Sequence, residues 1–313
     1  MAVCLALGAL LLSAQGPWPR PAADIGPALS TVGTICVAVY IALVGAVIGS
    51  VGTRLPWHRA GSVAVAFCGA MLALGAVLAA ATHDGALYPP GLPLAAAIAV
   101  TGAALSVNGL PVVARLLSDG GRLATPLGAL ALSSGALITA FTFAALRVGA
   151  VIDGRPLGPR VLLSLTVLAA FAIGFASSGR NGPVGAGAQR WTVWAGRVLL
   201  PVYFLSAGRS LGGLELPSGT ALAVGSFAVF VAVVAWPVAI CAGRLAGLPR
   251  ADLRPLADLS LCRGVVMIIV ALQAHNEGLL SGAATLALTI AAVVGTGLAG
   301  LLVTLPIRRS AAL

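Results

Sequence analysis

Residues 101–117 read TGAALSVNGLPVVARLL and lie within an uncharged run, 85–114, that is long enough to cross a membrane. The middle of this stretch is a poor helix, because glycine costs about 1 kcal/mol and proline about 3 kcal/mol in a helix interior. Pro111 also removes a backbone donor. Backbone groups freed at bilayer depth are tolerated only where protein buries them or water reaches them. The stretch therefore predicts either a simple proline kink or an interrupted helix at a transport site.

The composition is that of an integral membrane protein. Of the 313 residues, 59% are hydrophobic and 8% are charged, and the apolar runs are long and continuous. We therefore predict an all-α fold, a polytopic transmembrane helical bundle that forms a single domain over residues 1–313.

About ten apolar segments follow one another, of which the first and seventh are marginal. They are 1–13, 25–53, 61–82, 92–117, 123–146, 161–177, 191–208, 216–243, 256–274 and 279–305. Residues 1–14 fit either a helix or a cleaved signal sequence. A Gly-rich polar patch, 178–190, separates the sixth segment from the seventh.

The arginines predict the orientation. All 18 basic residues are arginine; twelve lie in even-numbered gaps or at the C-terminus, and five lie in odd-numbered gaps. Positive residues favour the cytoplasmic side, so we predict a multi-pass protein of the cell (plasma) membrane with both termini cytoplasmic, and His83 and Glu277 facing outward. The net charge of +10 is thus an orientation signal. No basic cluster with interleaved aromatic residues occurs, and no nucleic-acid partner is predicted.

The remaining arginine, Arg263, lies inside segment 256–274, where a charge is costly and indicates function. It can face a substrate, bond carbonyl groups of a broken helix, or extend to the interface. Pro255 and Asp258 open this segment near the cytoplasmic side, and Gly264, directly after the arginine, indicates that the span is interrupted as well. Two interrupted spans of opposite direction predict inverted repeats that cross at the bilayer midplane.

Three motifs resemble the monovalent cation:proton antiporters of the sodium/hydrogen exchanger superfamily, especially the second bacterial branch. They are SVNGLPVVARLLSDGGRLATPLGALALSSGAL at 106–137, LLPVYFLSAGRSL at 199–211 and LCRGVVMIIVAL at 261–272. The resemblance covers about 25–305 and occurs in family order. It implies an inverted-repeat antiporter fold with two interrupted helices, Na⁺ or K⁺ and protons as substrates, and a lipid bilayer as the medium. It is compatible with a homodimer.

The chain departs from this family in length and in chemistry. From the resemblance we expect the chain to lack the family's first helix and two helices near 178–190. The family also carries one or two acidic residues in the helix after the interrupted one, and Ile138 and Thr139 stand there instead. No carboxylate occurs in 123–146. A threonine hydroxyl can offer oxygen to a cation but cannot titrate near neutral pH.

The candidate ion-site residues combine the break, the missing acidic pair and the intramembrane charge: Ser106, Asn108, Pro111, Thr139 and Arg263. Asp258 is the candidate proton carrier, and an aspartate placed at Thr139 is expected to restore cation binding. No enzyme motif, metal site or cofactor is predicted. The interpretation is a secondary transporter with impaired or altered coupling. A non-transporting protein with a binding or assembly role, and a proton-linked exporter of an organic solute, are the alternatives.

Overall fold

The computed structural model describes residues 57–155, except 84, 123 and 124, and residues 221–310, with side chains to 303. Isolated residues between 32 and 46, at 169 and between 191 and 208 are also described. The chain divides into two compact units, one of residues 1–52 with 158–215 and one of 53–157 with 216–313. The second unit contains most of the described residues. Residues 1–14 and the patch 178–190 lie outside the described part.

Eight helices make up the described part of this unit, and no strand occurs there. They are α1 (Trp57–Thr82), α2 (Leu94–Ser106), α3 (Leu110–Asp119), α4 (Pro126–Ile152), α5 (Ala221–Leu245), α6 (Arg250–Ser260), α7 (Gly264–Asn276) and α8 (Gly282–Ser310). The all-α prediction is confirmed for these residues.

Five stretches of this unit are long and apolar enough to cross a membrane, and α2 with α3 counts as one of them. The pair of α6 and α7, which is bent by 49°, makes a sixth if it is one span. These stretches correspond to the third, fourth, fifth, eighth, ninth and tenth predicted segments. The other four predicted segments fall mainly outside the described residues.

Helix α4 shows why the predicted boundaries shift. It begins after Thr125, whose Oγ1 accepts a hydrogen bond of 3.1 Å from the Gly128 backbone N–H, and Pro126 occupies a first-turn position that needs no donor. The predicted segment ends at residue 146, before Arg147, yet the helix continues to Ile152. Arg147 lies within this helix and forms an ion pair with Glu277, 2.8 Å away, so the residue that ends the apolar run does not end the helix.

Glycines allow α1 and α2 to pack closely. A Cβ atom placed on Gly75 of α1 would lie 2.7 Å from the backbone nitrogen of Gly102 in α2. A Cβ placed on Gly102 would lie 2.6 Å from Leu72 Cδ1. Membrane helices gain much of their association energy from such close packing, because lipid is as apolar as the side chains.

The unit repeats one pattern: a long helix, an interrupted pair and another long helix, first as α1 to α4 and then as α5 to α8.

The ends of α3, α6 and α8 that carry Leu116, Arg250 and Leu302 line one cleft, and this end of the unit is called the Arg250 pole. At the other end, the Ser281 backbone N–H donates to Leu87 O over 3.1 Å, and Ser281 Oγ donates to Ala86 O over 2.6 Å. This end is called the Ser281 pole.

We predict that Gly75→Ala lowers the unfolding temperature of the protein, because the added methyl group would meet backbone atoms of α2 that cannot move aside. Gly69→Ala, on the same helix, is the matched control, since nothing lies within 4 Å of its added Cβ. That control is expected to be neutral or to stabilise by up to about 1 kcal/mol through helix propensity. Thermal unfolding in detergent measures both variants, and equal unfolding temperatures would contradict the close contact.

Candidate functional site

The first interruption covers residues 107–109. Helix α2 ends at Ser106, α3 begins at Leu110, and Pro111 lies in the first turn of α3. Proline is favoured there because it lacks the N–H that a helix start leaves unpaired. The prediction that residues 106–110 lack continuous helical hydrogen bonding is confirmed, and Pro111 starts a new helix instead of kinking a continuous one.

The second interruption covers residues 261–263, between α6 and α7. Gly264 has φ of 53°, in the left-handed region that glycine adopts without a steric cost. Its backbone N–H donates to Thr296 Oγ1 of α8 over 2.9 Å. A side chain of another helix therefore caps α7, since no local side chain does so.

The two interruptions meet backbone to backbone. The Gly109 N–H donates to Cys262 O over 2.6 Å. A Cβ on Gly109 would lie 2.8 Å from the carbonyl carbon of Arg263, and a Cβ on Gly295 of α8 would lie 2.7 Å from Leu261 O. Larger residues at 109 and 295 would push these segments apart, so the two glycines allow the interruptions to touch. This contact between residues 107–109 and 261–263 is called the crossing.

Arg263 is fully buried and donates to three backbone carbonyls. Its Nη1 donates to Leu105 O and to Val107 O, the latter over 2.8 Å, and its Nη2 donates to Val231 O over 3.1 Å. The Leu105 carbonyl lies in the last turn of α2 and the Val107 carbonyl belongs to its C-terminal cap, where helix termination leaves acceptors free and the dipole is negative. Of the three roles that the sequence left open, bonding broken-helix carbonyls is the one that fits these contacts.

A small cavity of about 20 Å³ lies beside the crossing, enough for about one water molecule. Its polar lining comes from Asn108, Ser134 and Ser260. Asn108 is 9% exposed, and its Oδ1 is buried without a hydrogen-bond partner among the residues that the structure describes. The two serine hydroxyls donate to Leu130 O over 2.8 Å and to Ala257 O over 2.7 Å, which leaves their oxygen lone pairs available.

The cavity distinguishes the two residues that stand where the resembling family has its acidic pair. Ile138 lines the cavity and is 4% exposed. Thr139 is half-buried, is not among the lining residues, and donates from its hydroxyl to Gly135 O over 2.8 Å. Ser106 is also bonded within its own helix, to Gly102 O over 2.7 Å. An acid facing Asn108 would therefore have to come from position 138.

Asp258 lies apart from this cavity. It is buried, its Oδ1 accepts a hydrogen bond of 2.9 Å from Trp236 Nε1, and it lines a separate cleft at the Arg250 pole. Leu259 lines both the cleft and the cavity and so separates the candidate proton carrier from Asn108.

Sequence alone places Arg147 and Glu277 in gaps between apolar segments, but the two residues form a half-buried ion pair between α4 and the end of α7. Glu277 is 7% exposed, and both carboxylate oxygens lie 2.8 Å from Arg147 Nη2. Gln273 Nε2 donates to the same carboxylate over 3.4 Å. Both residues belong to gaps predicted to face the same side of the membrane. Their opposite charges on that side were the feature of the sequence from which this pair could have been predicted.

Within the described ranges, no group of three or more His, Cys, Asp and Glu side chains could hold a metal ion. Known protein-family models gave no match to the chain, and neither did curated proteins. The resemblance to cation:proton antiporters therefore rests on the three motifs of the sequence.

We predict that Arg263→Gln destabilises the protein by at least about 2 kcal/mol. The shorter amide cannot reach all three carbonyls, and a buried carbonyl without a donor costs about 1–3 kcal/mol. Arg263→Lys, which keeps a positive charge but lacks the planar set of donors, is expected to lose less. Thermal and chemical unfolding in detergent measure the loss.

Arg244→Gln is the control for this prediction, because Arg244 is exposed at the end of α5. Its substitution is expected to change the stability by less than about 0.5 kcal/mol. If Arg263→Gln were as stable as Arg244→Gln, the carbonyl contacts would not hold the crossing together.

Proposed function

We propose that the chain is an integral membrane secondary transporter that resembles monovalent cation:proton antiporters and has altered coupling. The observation that carries the proposal is the unpartnered Oδ1 of Asn108, buried in a cavity beside two touching helix interruptions. A buried acceptor without a donor costs free energy, so it indicates a place where a water molecule or a cation binds.

The free-energy cost of interrupting two helices and burying an arginine between them supports this function. Two helices give up hydrogen bonds at the centre of the unit, and Arg263 is buried to replace part of them. Continuous helices would pack a purely structural bundle at lower cost. Interrupted helices in membrane proteins commonly form substrate sites at the bilayer midplane.

The repeated pattern of helices supports alternating access. In the inverted-repeat interpretation, α1 to α4 and α5 to α8 are two halves of opposite direction that meet at the two interruptions. Many transporters expose a midplane site to each side in turn by moving one set of helices against another.

Altered coupling follows from the cavity lining. Asn108, Ser134 and Ser260 supply neutral oxygen ligands, and no lining residue carries a carboxylate. In the resembling family, a cation and a proton compete for a carboxylate. Here the cavity binds no proton in the physiological range, and Asp258 would have to carry it from across Leu259.

The same lining also favours a second candidate, a membrane protein that no longer transports and serves a binding or assembly role. Its cavity has room for about one water molecule, and Ile138 lines it at a position where the resembling family has an acidic residue. Flux measurements separate the two functions.

We predict that the purified protein, reconstituted in vesicles, shows weak or no Na⁺/H⁺ or K⁺/H⁺ exchange, as followed by an internal pH-sensitive dye. Ile138→Asp is expected to add cation binding that strengthens as the pH rises, because deprotonation of the new carboxyl creates the cation ligand. Ile138→Asn, which has nearly the same shape but cannot ionise, is the matched control.

Each outcome of this experiment bears on the proposal. Robust exchange by the unmodified protein that survives Asp258→Asn would contradict the altered coupling. An Ile138→Asp variant that folds but gains no more cation response than Ile138→Asn would favour the non-transporting function. Proton flux driven by organic solutes, with none driven by Na⁺ or K⁺, would favour the exporter alternative.

The proposed orientation places the Arg250 pole in the cytoplasm. Arg147 and Arg155, towards the Ser281 pole, are paired with Glu277 and Asp153, whereas Arg122, Arg244, Arg250 and Arg254 at the Arg250 pole have no acidic partner among the described residues. The larger number of arginines at the Arg250 pole favours the cytoplasmic side for this pole, because the orientation bias counts positive residues and acidic residues contribute little to it.

We predict that a cysteine at the exposed Asn276 is labelled from outside intact cells by an impermeant reagent, in a chain whose five native cysteines have been removed. A cysteine at Arg244 should react only after permeabilisation. The reverse result would invert the proposed orientation.

A further inference from the structure

A cleft of about 690 Å³ opens at the Arg250 pole and is distinct from the cavity beside Asn108. The end of α3, the turn that follows it, the start of α4, helix α6 and residues 302–303 of α8 supply its walls. It has the size of a site for a drug-sized ligand, about 300–1,000 Å³, and far exceeds the space that one inorganic ion fills.

Three arginines of this cleft have no acidic partner in the described part of the chain. Arg250 and Arg254 lie four residues apart on α6 and therefore on one face, and Arg122 comes from the turn before α4. All three are exposed, and no carboxylate of the described residues lies within 4 Å of their guanidinium groups. Arg115, at the same end of the unit, differs because it pairs with Asp119 at 3.6 Å.

The first turn of α6 presents backbone N–H groups towards the cleft, and the carboxylate of Asp252 in the same turn does not line the cleft. Pro249 caps this helix without a side-chain hydrogen bond, and Ala251 of the first turn lines the cleft. Free backbone N–H groups at a helix start attract anions. One carboxylate, that of Asp258, also lines the cleft, but it accepts a hydrogen bond from Trp236 Nε1. Among the described lining residues, three positive side chains against one negative side chain favour an anionic ligand.

The walls identify the class of anion. Leu116, Leu127, Leu302 and Val303 present apolar side chains to the same cleft as the arginines. A ligand that contacts both the arginines and the apolar side chains must have an anionic head and a hydrocarbon part. Basic pockets between membrane helices on the cytoplasmic side suit phospholipid head groups, and guanidinium groups bind phosphate with paired hydrogen bonds.

We propose that this cleft binds the phosphate group of an anionic phospholipid, held by Arg122, Arg250 and Arg254, with the acyl chains along the apolar wall. Bound lipid would join α3, α4, α6 and α8 at one pole of the unit. This site does not depend on whether the protein transports a cation.

The test uses the full-length protein purified in detergent. Native mass spectrometry and thermal unfolding compare phosphatidylglycerol with phosphatidylcholine, and inorganic phosphate is added in a separate arm. Phosphatidylglycerol is expected to bind and to raise the unfolding temperature, while phosphatidylcholine does neither to the same degree. Each arginine changed to glutamine should weaken the phosphatidylglycerol affinity by about fivefold, so the triple variant loses most of it.

Arg244→Gln is the matched control, because it removes an exposed arginine of the same pole that does not line the cleft. It should bind phosphatidylglycerol like the unmodified protein. The unfolding temperature without lipid shows that the triple variant Arg122→Gln/Arg250→Gln/Arg254→Gln is folded. The proposal is overturned if the triple variant loses no more affinity than Arg244→Gln. Stabilisation by inorganic phosphate alone, without a response to phosphatidylglycerol, overturns the lipid as the occupant.

Discussion

The contact between the Arg263 guanidinium and the carbonyl end of α2 is the interaction on which the centre of this unit depends. Helix α2 stops at Ser106 in surroundings where its last carbonyls find no water. Arg263 reaches across from the other interruption and donates to two of them, and to a third carbonyl on α5. A charged donor replaces the missing helical hydrogen bonds, and the helix carbonyls in turn stabilise a charge that would be costly alone.

These hydrogen bonds form only if the two interruptions approach within hydrogen-bond distance of each other. Gly109 and Gly295 provide the space, because a methyl group at either position would meet backbone atoms at less than 3 Å. Thr296 completes the arrangement by capping α7. The crossing is therefore a set of mutually dependent contacts among α2, α3, α7 and α8. These contacts fix the position of the cavity beside Asn108.

The charges of the unit are arranged differently at its two ends. Arg147 and Arg155 pair with Glu277 and Asp153 at or near the Ser281 pole, and the first of these pairs is half-buried between two helices. At the Arg250 pole, arginines line an open cleft without acidic partners among the described residues. One end thus has pairs that hold helices together, whereas the other offers positive charge to a ligand or to the membrane surface.

The sequence by itself determined the membrane class, the position of the apolar spans and the first interruption, because hydrophobic run length and the cost of Gly109 and Pro111 are local properties. It also singled out Arg263, since any charge inside an apolar run is conspicuous. Only the tertiary structure decided which groups Arg263 bonds, because its partners lie 32 to 158 residues away in the chain. The same holds for Arg147 with Glu277, and for the choice of Ile138 over Thr139 as the cavity residue. Adjacent residues on a helix point in directions about 100° apart, and a helix without a polar face does not reveal which of them faces the crossing until its neighbours are in place.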